Sequence, residues 1–154
     1  MLTIRRFQKG DEEILSVMIR RTLREVNYTS PKSELDYLIP HYSPETMVEL
    51  SETGHTYVLE EDGQIIGSGT ILPDGETEAE IVAAFLSPES IGKGYGRKVF
   101  ETLEADELAA KATRVWLTSS DMALGFYEHM GWVNPNGPRA RAGEDNLLYM
   151  EKRK

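Results

Sequence analysis

Residues 91–97 have the sequence IGKGYGR, and they lie between a predicted strand that ends at Leu86 and a predicted helix. Glycine has no Cβ, so the backbone of such a loop can turn tightly and approach a ligand closely. The first N–H groups of a helix lack partners inside it, and the helix dipole adds positive potential there. Lys93, Arg97 and Lys98 add cations. The segment therefore predicts a pyrophosphate-binding loop, with a purely structural turn as the alternative.

Two common phosphate-binding motifs do not match this loop. The dinucleotide fingerprint has the order G-x-G-x-x-G inside a parallel βαβ unit that begins the fold. Here the glycines are spaced G-x-G-x-G, and they follow three predicted strands that are joined by hairpins. No Gly-Lys-Ser or Gly-Lys-Thr ends the segment, which excludes a P-loop.

The region before the loop has the pattern of three strands. Residues 55–61 and 64–72 are separated by Asp62-Gly63, which is a strong hairpin signal. Residues 77–86 form the third predicted strand, in which side chains alternate between two faces. We expect one face to hold Ile81, Ala83 and Phe85, and the other to hold Glu78, Glu80 and Val82.

The N-terminal third has mainly helical signals. After a short predicted strand at Leu2 and Ile4, a helix that follows Asp11 has an apolar stripe of helical spacing. The stripe consists of Ile14, Leu15, Met18, Ile19, Thr22 and Val26. Ser30-Pro31 and Ser43-Pro44 are typical helix starts and predict short helices near residues 32–38 and 44–51.

The region after the loop alternates helices with strands. The helix that follows the loop has the apolar stripe Val99, Phe100, Leu103 and Ala110. We then expect a strand at 114–119, a helix at 121–130 capped by Ser119 or Ser120, a strand from Trp132, and a last strand at 146–150. This mixed order predicts an α/β or α+β sheet with helices on both faces.

Length and composition bound the class of protein. The chain has 154 residues, 40% of them hydrophobic and 28% charged, so we expect one globular domain over residues 1–154. The net charge of −9 argues against nucleic-acid binding, which needs a basic face. No apolar run approaches the length of a membrane span, and we expect no secretory signal. The absence of cysteine fits a cytoplasmic protein and excludes thiolate metal sites, and the histidines lack metal-binding spacing.

The loop and two further segments resemble the GNAT superfamily of acyl-CoA-dependent N-acyltransferases. The superfamily signature is Q/R-x-x-G-x-G/A, and residues 91–96 match it at Gly94 and Gly96 but have Ile91 at the first position. Residues 123–132, ALGFYEHMGW, resemble the family segment A-x-x-F-Y-E-x-x-G-F, and residues 79–82 resemble the preceding strand of the histone acetyltransferase branch. The resemblance implies a mixed, mainly antiparallel sheet of six or seven strands with helices on both faces.

The resemblance also implies an activity and two catalytic residues. It predicts transfer of an acetyl group from acetyl-CoA to a primary amine, with no metal, in a small-molecule or peptide acceptor. Glu80 would be the general base, directly or through water, with Glu78 in reserve because it faces the same way. Tyr127 would be the general acid that protonates the leaving thiolate. Solvated or packed side chains are the alternatives for both residues.

The coenzyme contacts follow from the same resemblance. Phe85 and Leu86 would offer free backbone N–H and C=O groups to the pantetheine, and the N–H near Leu86 could polarise the thioester carbonyl. The pyrophosphate would be held by the loop residues Ile91, Gly92, Lys93, Gly94, Tyr95, Gly96 and Arg97. Ser120 lies where many relatives have an asparagine that contacts the coenzyme. Tyr28, Tyr37 and Tyr42 fall in the segment that borders the acceptor pocket in relatives.

Two other classes of function compete with the enzyme. A catalytically weak acyl-CoA-binding module is suggested by the departures at Ile91 and Ser120. An interaction protein that retains only the fold would bind no coenzyme. The resemblance also leaves a homodimer through a shared sheet edge open.

Overall fold

Six strands form one sheet whose spatial order follows the chain. The computed structural model describes residues 1–27 and 31–154, so Tyr28 and the Ser30 helix signal lie outside the described residues. The strands are β1 (Leu2–Arg6), β2 (His55–Glu61), β3 (Gln64–Asp74), β4 (Glu78–Leu86), β5 (Arg114–Ser119) and β6 (Leu148–Arg153). Among the strands of the described residues, only β4 and β5 are parallel, and every other neighbouring pair is antiparallel. The predicted mixed, mainly antiparallel sheet is confirmed.

Helices cover both faces of the sheet, as predicted. They are α1 (Glu12–Glu25), α2 (Lys32–His41), α3 (Pro44–Thr53), α4 (Tyr95–Ala105), α5 (Glu107–Lys111) and α6 (Leu124–His129). One buried apolar cluster, which we call the α1 core, contains residues of α1 and α3 with Val58. The other, the α4 core, contains residues of α4 and α6 with Leu59. Because Val58 and Leu59 are adjacent in β2, the two cores lie on opposite faces of the sheet.

The first hairpin forms where the sequence predicts it. Asp62 and Gly63 both have positive φ, 52° and 84°, which is the backbone of a type I′ turn. This turn matches the right-handed twist of the two strands that it joins. The predicted strands at 55–61 and 64–72 are thereby confirmed, with the second extended to Asp74.

A bulge in β4 changes which side chains share a face. Thr70 pairs with Val82 and Ser68 with Phe85, so the single residue Gly69 lies opposite two residues of β4. Ala83, within the bulge, has φ 54°. An extra residue reverses the alternation of side chains beyond it. Ile81 therefore packs into the α4 core and Phe85 against the α1 core, so the prediction that they share a face is wrong.

Two predicted helical stripes are shifted in the structure. Ile14 is 55% exposed, whereas Leu23 is buried, because the buried face of α1 is centred on Leu15 and Ile19. After the glycine loop, the predicted stripe is interrupted at Asp106, whose carboxylate accepts a hydrogen bond from the Leu108 N–H and caps a new helix. That break turns Ala109 inward, so Ala110 is exposed and its predicted burial is wrong.

The C-terminal region also differs from the prediction in detail. Residues 121–123 form a turn, so α6 begins at Leu124 rather than Asp121. The predicted strand from Trp132 is reduced to a single bridge between Val133 and Glu151, which leaves six strands. Among the described helices, none combines the length and apolar composition needed to cross a bilayer.

Candidate active site

The two parallel strands at the centre of the sheet separate soon after they pair. β4 and β5 are joined only where Glu78, Ala79 and Glu80 face residues 114–116. Beyond Glu80, no strand in the described part of the chain pairs with β4 on that side. We call the resulting opening, between residues 82–86 of β4 and 117–119 of β5, the interstrand cleft.

Leu86 presents backbone groups to the interstrand cleft. The Ser87 N–H donates to the Ile66 carbonyl at 2.7 Å, which makes Gly67 and Leu86 a non-hydrogen-bonded pair. The N–H and C=O of Leu86 therefore point away from β3, toward the cleft. The Thr22 hydroxyl of α1 donates to the Leu86 carbonyl at 2.7 Å, a contact that the sequence pattern did not indicate.

Glu80 lies where the two strands part. Its side chain is half-buried, and burial together with the nearby carboxylate of Asp74 raises the pKa of Glu80 to about 7. Within the described part of the chain, Glu80 takes part in no ion pair. Its carboxylate is therefore available to a ligand and titrates near neutral pH.

Glu78, the reserve candidate, has a different environment. Its carboxylate pairs with the Arg114 guanidinium at 2.9 Å, and Arg114 also bonds Glu151 at 2.6 Å. Glu78 is thus one part of an ion-pair network across β4, β5 and β6. The two glutamates lie on the same face of β4, but only Glu78 has an ion-pair partner among the described residues.

Tyr127 is buried in the α4 core with 8% of its surface exposed. Its ring makes edge-to-face contacts with Phe100, Phe126 and Trp132, at centroid distances of 5.2, 5.4 and 6.3 Å. Burial, and secondarily the hydroxyl of Tyr42, raises the pKa of Tyr127 well above that of a free phenol. The phenol is therefore a neutral hydrogen-bond donor at physiological pH.

The glycine loop has the backbone geometry of an anion site. Gly92 and Gly94 have φ of 84° and 82°, a conformation that side chains with a Cβ rarely adopt. Gly94 is the N-cap of α4, and the N–H groups of Gly92, Lys93 and Gly94 donate to no carbonyl among the described residues. Two cationic residues belong to the same segment, Lys93 in the loop and Arg97 in the first turn of α4. The fit to a pyrophosphate group rests on this set of donors and cations.

The remaining predicted contacts lie around the same end of the sheet. Ile91 is 44% exposed at the start of the loop. The Tyr95 hydroxyl donates to Glu61, which ties the start of α4 to β2. Ser120 accepts a hydrogen bond from the Ala123 N–H at 3.2 Å and so stabilises the turn before α6. Residues 1–27 and 31–154 include no group of three or more potential metal ligands.

Comparison with known proteins agrees with this architecture. The model of the Acetyltransferase (GNAT) family matches residues 18–132. A protein of Escherichia coli (strain K12), the uncharacterized N-acetyltransferase YjgM, is 27% identical over an alignment of 139 positions that covers 84% of this chain and 80% of that protein.

Two solved structures show the same fold at low sequence identity. The PaiA N-acetyltransferase of Thermoplasma acidophilum, in complex with coenzyme A, has a TM-score of 0.79 and 19% identity, with 100% of this chain and 99% of that chain covered. A GNAT family acetyltransferase of Brucella melitensis, in complex with acetyl-CoA, has a TM-score of 0.69 and 18% identity, with 99% and 88% covered. The chain belongs to the GNAT family of acetyltransferases, a class of acetyl-CoA-dependent acyltransferases.

Proposed function

We propose that this protein transfers an acetyl group from acetyl-CoA to a primary amine of a small-molecule or peptide acceptor, with Glu80 as base and Tyr127 as acid. The observation on which the proposal depends is the position of Glu80. A half-buried carboxylate without an ion-pair partner lies where β4 and β5 separate, and its pKa is raised to about 7. Glu80 contributes to the raised pKa of Tyr42, and Tyr42 to that of Tyr127, which supports a common site for the two proposed groups.

The residues around the cleft suit the parts of the coenzyme. The N–H groups of Gly92 to Gly94, with Lys93 and Arg97, would hold the pyrophosphate, helped by the positive end of the α4 dipole. The Leu86 N–H, which points into the cleft, would pair with the pantetheine. The predicted contact of Phe85 is not available, because the N–H and C=O of Phe85 face Ser68 of β3. When bound, acetyl-CoA supplies an activated thioester.

Glu80 would make the acceptor nucleophilic. A primary amine with a pKa of about 10 is mostly ammonium at neutral pH and has no free lone pair. A carboxylate whose pKa is near 7 is a stronger base than an ordinary glutamate and is still substantially ionised at that pH. Glu80 would accept the ammonium proton, so that the N–H bond breaks as the carboxyl O–H bond forms.

Tyr127 would stabilise the leaving group. As the new C–N bond forms and the C–S bond breaks, negative charge develops on a sulfur whose thiol has a pKa of about 8.5. Burial keeps the Tyr127 phenol protonated, so it donates a hydrogen bond to that charge before its proton moves to sulfur. The attacking nitrogen loses its second proton as the amide forms, and this proton passes through water to the Tyr127 phenolate, while Glu80 releases its own proton to solvent.

A coenzyme-binding module with little catalysis is the second candidate. It is favoured by Ile91, an apolar side chain at the first signature position, and by Ser120, whose oxygen accepts a backbone hydrogen bond in the turn before α6. Such a protein would bind acetyl-CoA tightly and acetylate no amine. Turnover on any simple amine therefore separates the two candidates.

The test combines turnover with coenzyme binding. Thiol release from acetyl-CoA is measured with n-butylamine, 1,4-diaminobutane, D-glucosamine, L-lysine and glycinamide. Glu80→Gln and Tyr127→Phe should each reduce turnover by more than about tenfold, because each removes one proton-transfer group. Calorimetry should give an unchanged Kd for coenzyme A.

Glu76→Gln is the matched control, because this exposed glutamate lies in the turn before β4. It should leave turnover unchanged. Wild-type rates in both Glu80→Gln and Tyr127→Phe would refute the assigned roles. Tight coenzyme binding without turnover on any of the amines would favour the binding module.

A further inference from the structure

The C-terminal end of α2 is fixed by two side chains of α1. The Ser16 hydroxyl donates to the Tyr42 carbonyl at 2.6 Å, and Arg20 Nε donates to the Ile39 carbonyl at 2.9 Å. Both donors satisfy carbonyls that the end of a helix leaves unpaired. Although no residue of α2 is fully buried, these bonds give Tyr42, the residue that ends the helix, a defined position.

The ring of Tyr42 packs on the part of β4 that follows the bulge, where the side chains have changed face. It makes an edge-to-face contact with Phe85 at a centroid distance of 5.5 Å, and a similar contact with His41 at 5.0 Å. Phe85 reaches this face only because of the extra residue at Ala83. The bulge therefore brings Phe85, against which Tyr42 packs, to the face of the sheet on which Glu80 lies.

The hydroxyl of Tyr42 can form further hydrogen bonds, and it lies near the Glu80 carboxylate. The backbone N–H of Ala83 interacts with its oxygen. Burial and the neighbouring Glu80 carboxylate raise the pKa of Tyr42 to about 12, so the group stays neutral. A phenol oxygen both donates and accepts, and one backbone contact does not exhaust it.

We propose that Tyr42 is a further catalytic residue, whose hydroxyl oxygen accepts a hydrogen bond from the acceptor nitrogen and orients it together with Glu80. This inference rests on the proposed amine acetylation. An ammonium group has three N–H bonds, and Glu80 removes only one proton. The nitrogen then attacks along its lone pair, so at least one remaining N–H must be held to aim that lone pair at the thioester. A neutral oxygen at the bulge can hold it without competing for the proton.

The test removes only the hydroxyl. Tyr42→Phe keeps the ring that packs on Phe85, so the variant should fold and bind coenzyme A with the wild-type Kd. For the best amine of the panel above, kcat/KM should fall at least about tenfold, the loss expected for one well-placed hydrogen bond. The KM for acetyl-CoA should not change, because Tyr42 would contact only the acceptor.

Tyr149→Phe is the matched control. Its ring packs at a tilt against Trp116 in the β5–β6 part of the sheet, at a centroid distance of 5.9 Å, and we give it no role in binding or catalysis. It should retain the wild-type kcat/KM. Melting temperatures of both variants report whether the substitution affects folding.

The outcomes separate this inference from the function on which it rests. If the wild type acetylates an amine and Tyr42→Phe does so equally well, the role of Tyr42 is wrong and the proposed function stands. If Tyr42→Phe weakens coenzyme binding by the same factor as turnover, the residue is structural and the inference is overturned. If the wild type binds coenzyme A but acetylates none of the amines, both the proposed function and this inference are wrong.

Discussion

Glu78 and Glu80 are two residues apart on one face of β4, yet their carboxylates have different surroundings. Arg114 pairs with Glu78, whereas Glu80 is half-buried and lies near another carboxylate, Asp74. The sequence predicts that the glutamates share a face, because strand periodicity is local. It could not indicate which one is paired, because Arg114 is distant in sequence and meets Glu78 only through the parallel register of β4 and β5.

The raised pKa of Glu80 has a consequence for stability that does not depend on catalysis. In the folded protein this carboxyl titrates at about 7, against an ordinary value of 4.5, so between these values the folded state holds a proton that the unfolded chain releases. The contribution of Glu80 to stability is therefore present at low pH and is lost as the pH rises through about 7. Glutamine at this position has no proton to lose.

We expect Glu80→Gln to gain free energy of unfolding relative to the wild type as the pH is raised from 5 to 8. Urea denaturation at both pH values measures the difference, and Glu76→Gln serves as the exposed control. A difference between Glu80→Gln and the wild type that is the same at both pH values would show that the Glu80 pKa is not raised.

Local sequence predicted the strands, the hairpin and the glycine loop, but not the bulge of β4. Turn residues such as Asp62-Gly63 have strong backbone preferences, so their signals are visible in a short window. The bulge has no such signal, because the residue with positive φ is Ala83 rather than a glycine. Its position follows from the register with β3, and strand alternation alone therefore predicts the wrong face for Phe85.

Local sequence also gives no sign of the break in the helix after α4, because the contacts that cause it are distant in sequence. Asp106 lies in the middle of a helical hydropathy pattern, and its side chain is held by Tyr57 and His55 of β2 as well as by capping α5. These partners are about 50 positions away in sequence. A contact of that range outweighs the local preference for a continuous helix and turns Ala110 outward.

The glycine loop has its backbone donors in place without a polar side chain at its first position. Ile91 occupies the first position of the family signature, where Gln or Arg is usual. The residue is 44% exposed. Replacing it by arginine needs no rearrangement of a core. An added charge-assisted hydrogen bond to phosphate should strengthen binding.

We expect Ile91→Arg to lower the Kd for coenzyme A by about fivefold to tenfold, equivalent to about 1 kcal/mol for a partly solvated bond. Isothermal titration calorimetry measures the change. Ile14→Arg is the control, since Ile14 is an exposed isoleucine of α1 away from the loop. An equal effect of both variants would indicate general charge attraction rather than a contact in the loop.

The proposed site draws on residues from both cores of the molecule. Thr22 and Tyr42 contact Leu86 and Phe85 of β4 from the α1 side, whereas Tyr127 is buried in the α4 core on the other face. The sequence predicted Glu80 and Tyr127 as candidates, because each lies in a recognisable segment. It did not predict the contacts of Thr22 and Tyr42, since these join α1 and α2 to the distant end of β4. A site divided in this way ties ligand binding to the stability of the whole fold.

That coupling makes the melting temperature the most direct measurement on the unmodified protein. Coenzyme A or acetyl-CoA at about 100 times its Kd should add about 2.7 kcal/mol to the free energy of unfolding, which is a shift of roughly 5–10 °C for a domain of this size. Pantetheine at the same concentration lacks the pyrophosphate and should shift the melting temperature much less, because it leaves the loop N–H groups of Gly92 to Gly94 unpaired. Equal shifts by pantetheine and coenzyme A would indicate that the coenzyme is bound through its pantetheine in the interstrand cleft, with no contribution from the glycine loop. No shift by any of them would mean that the loop, despite its geometry, binds no coenzyme.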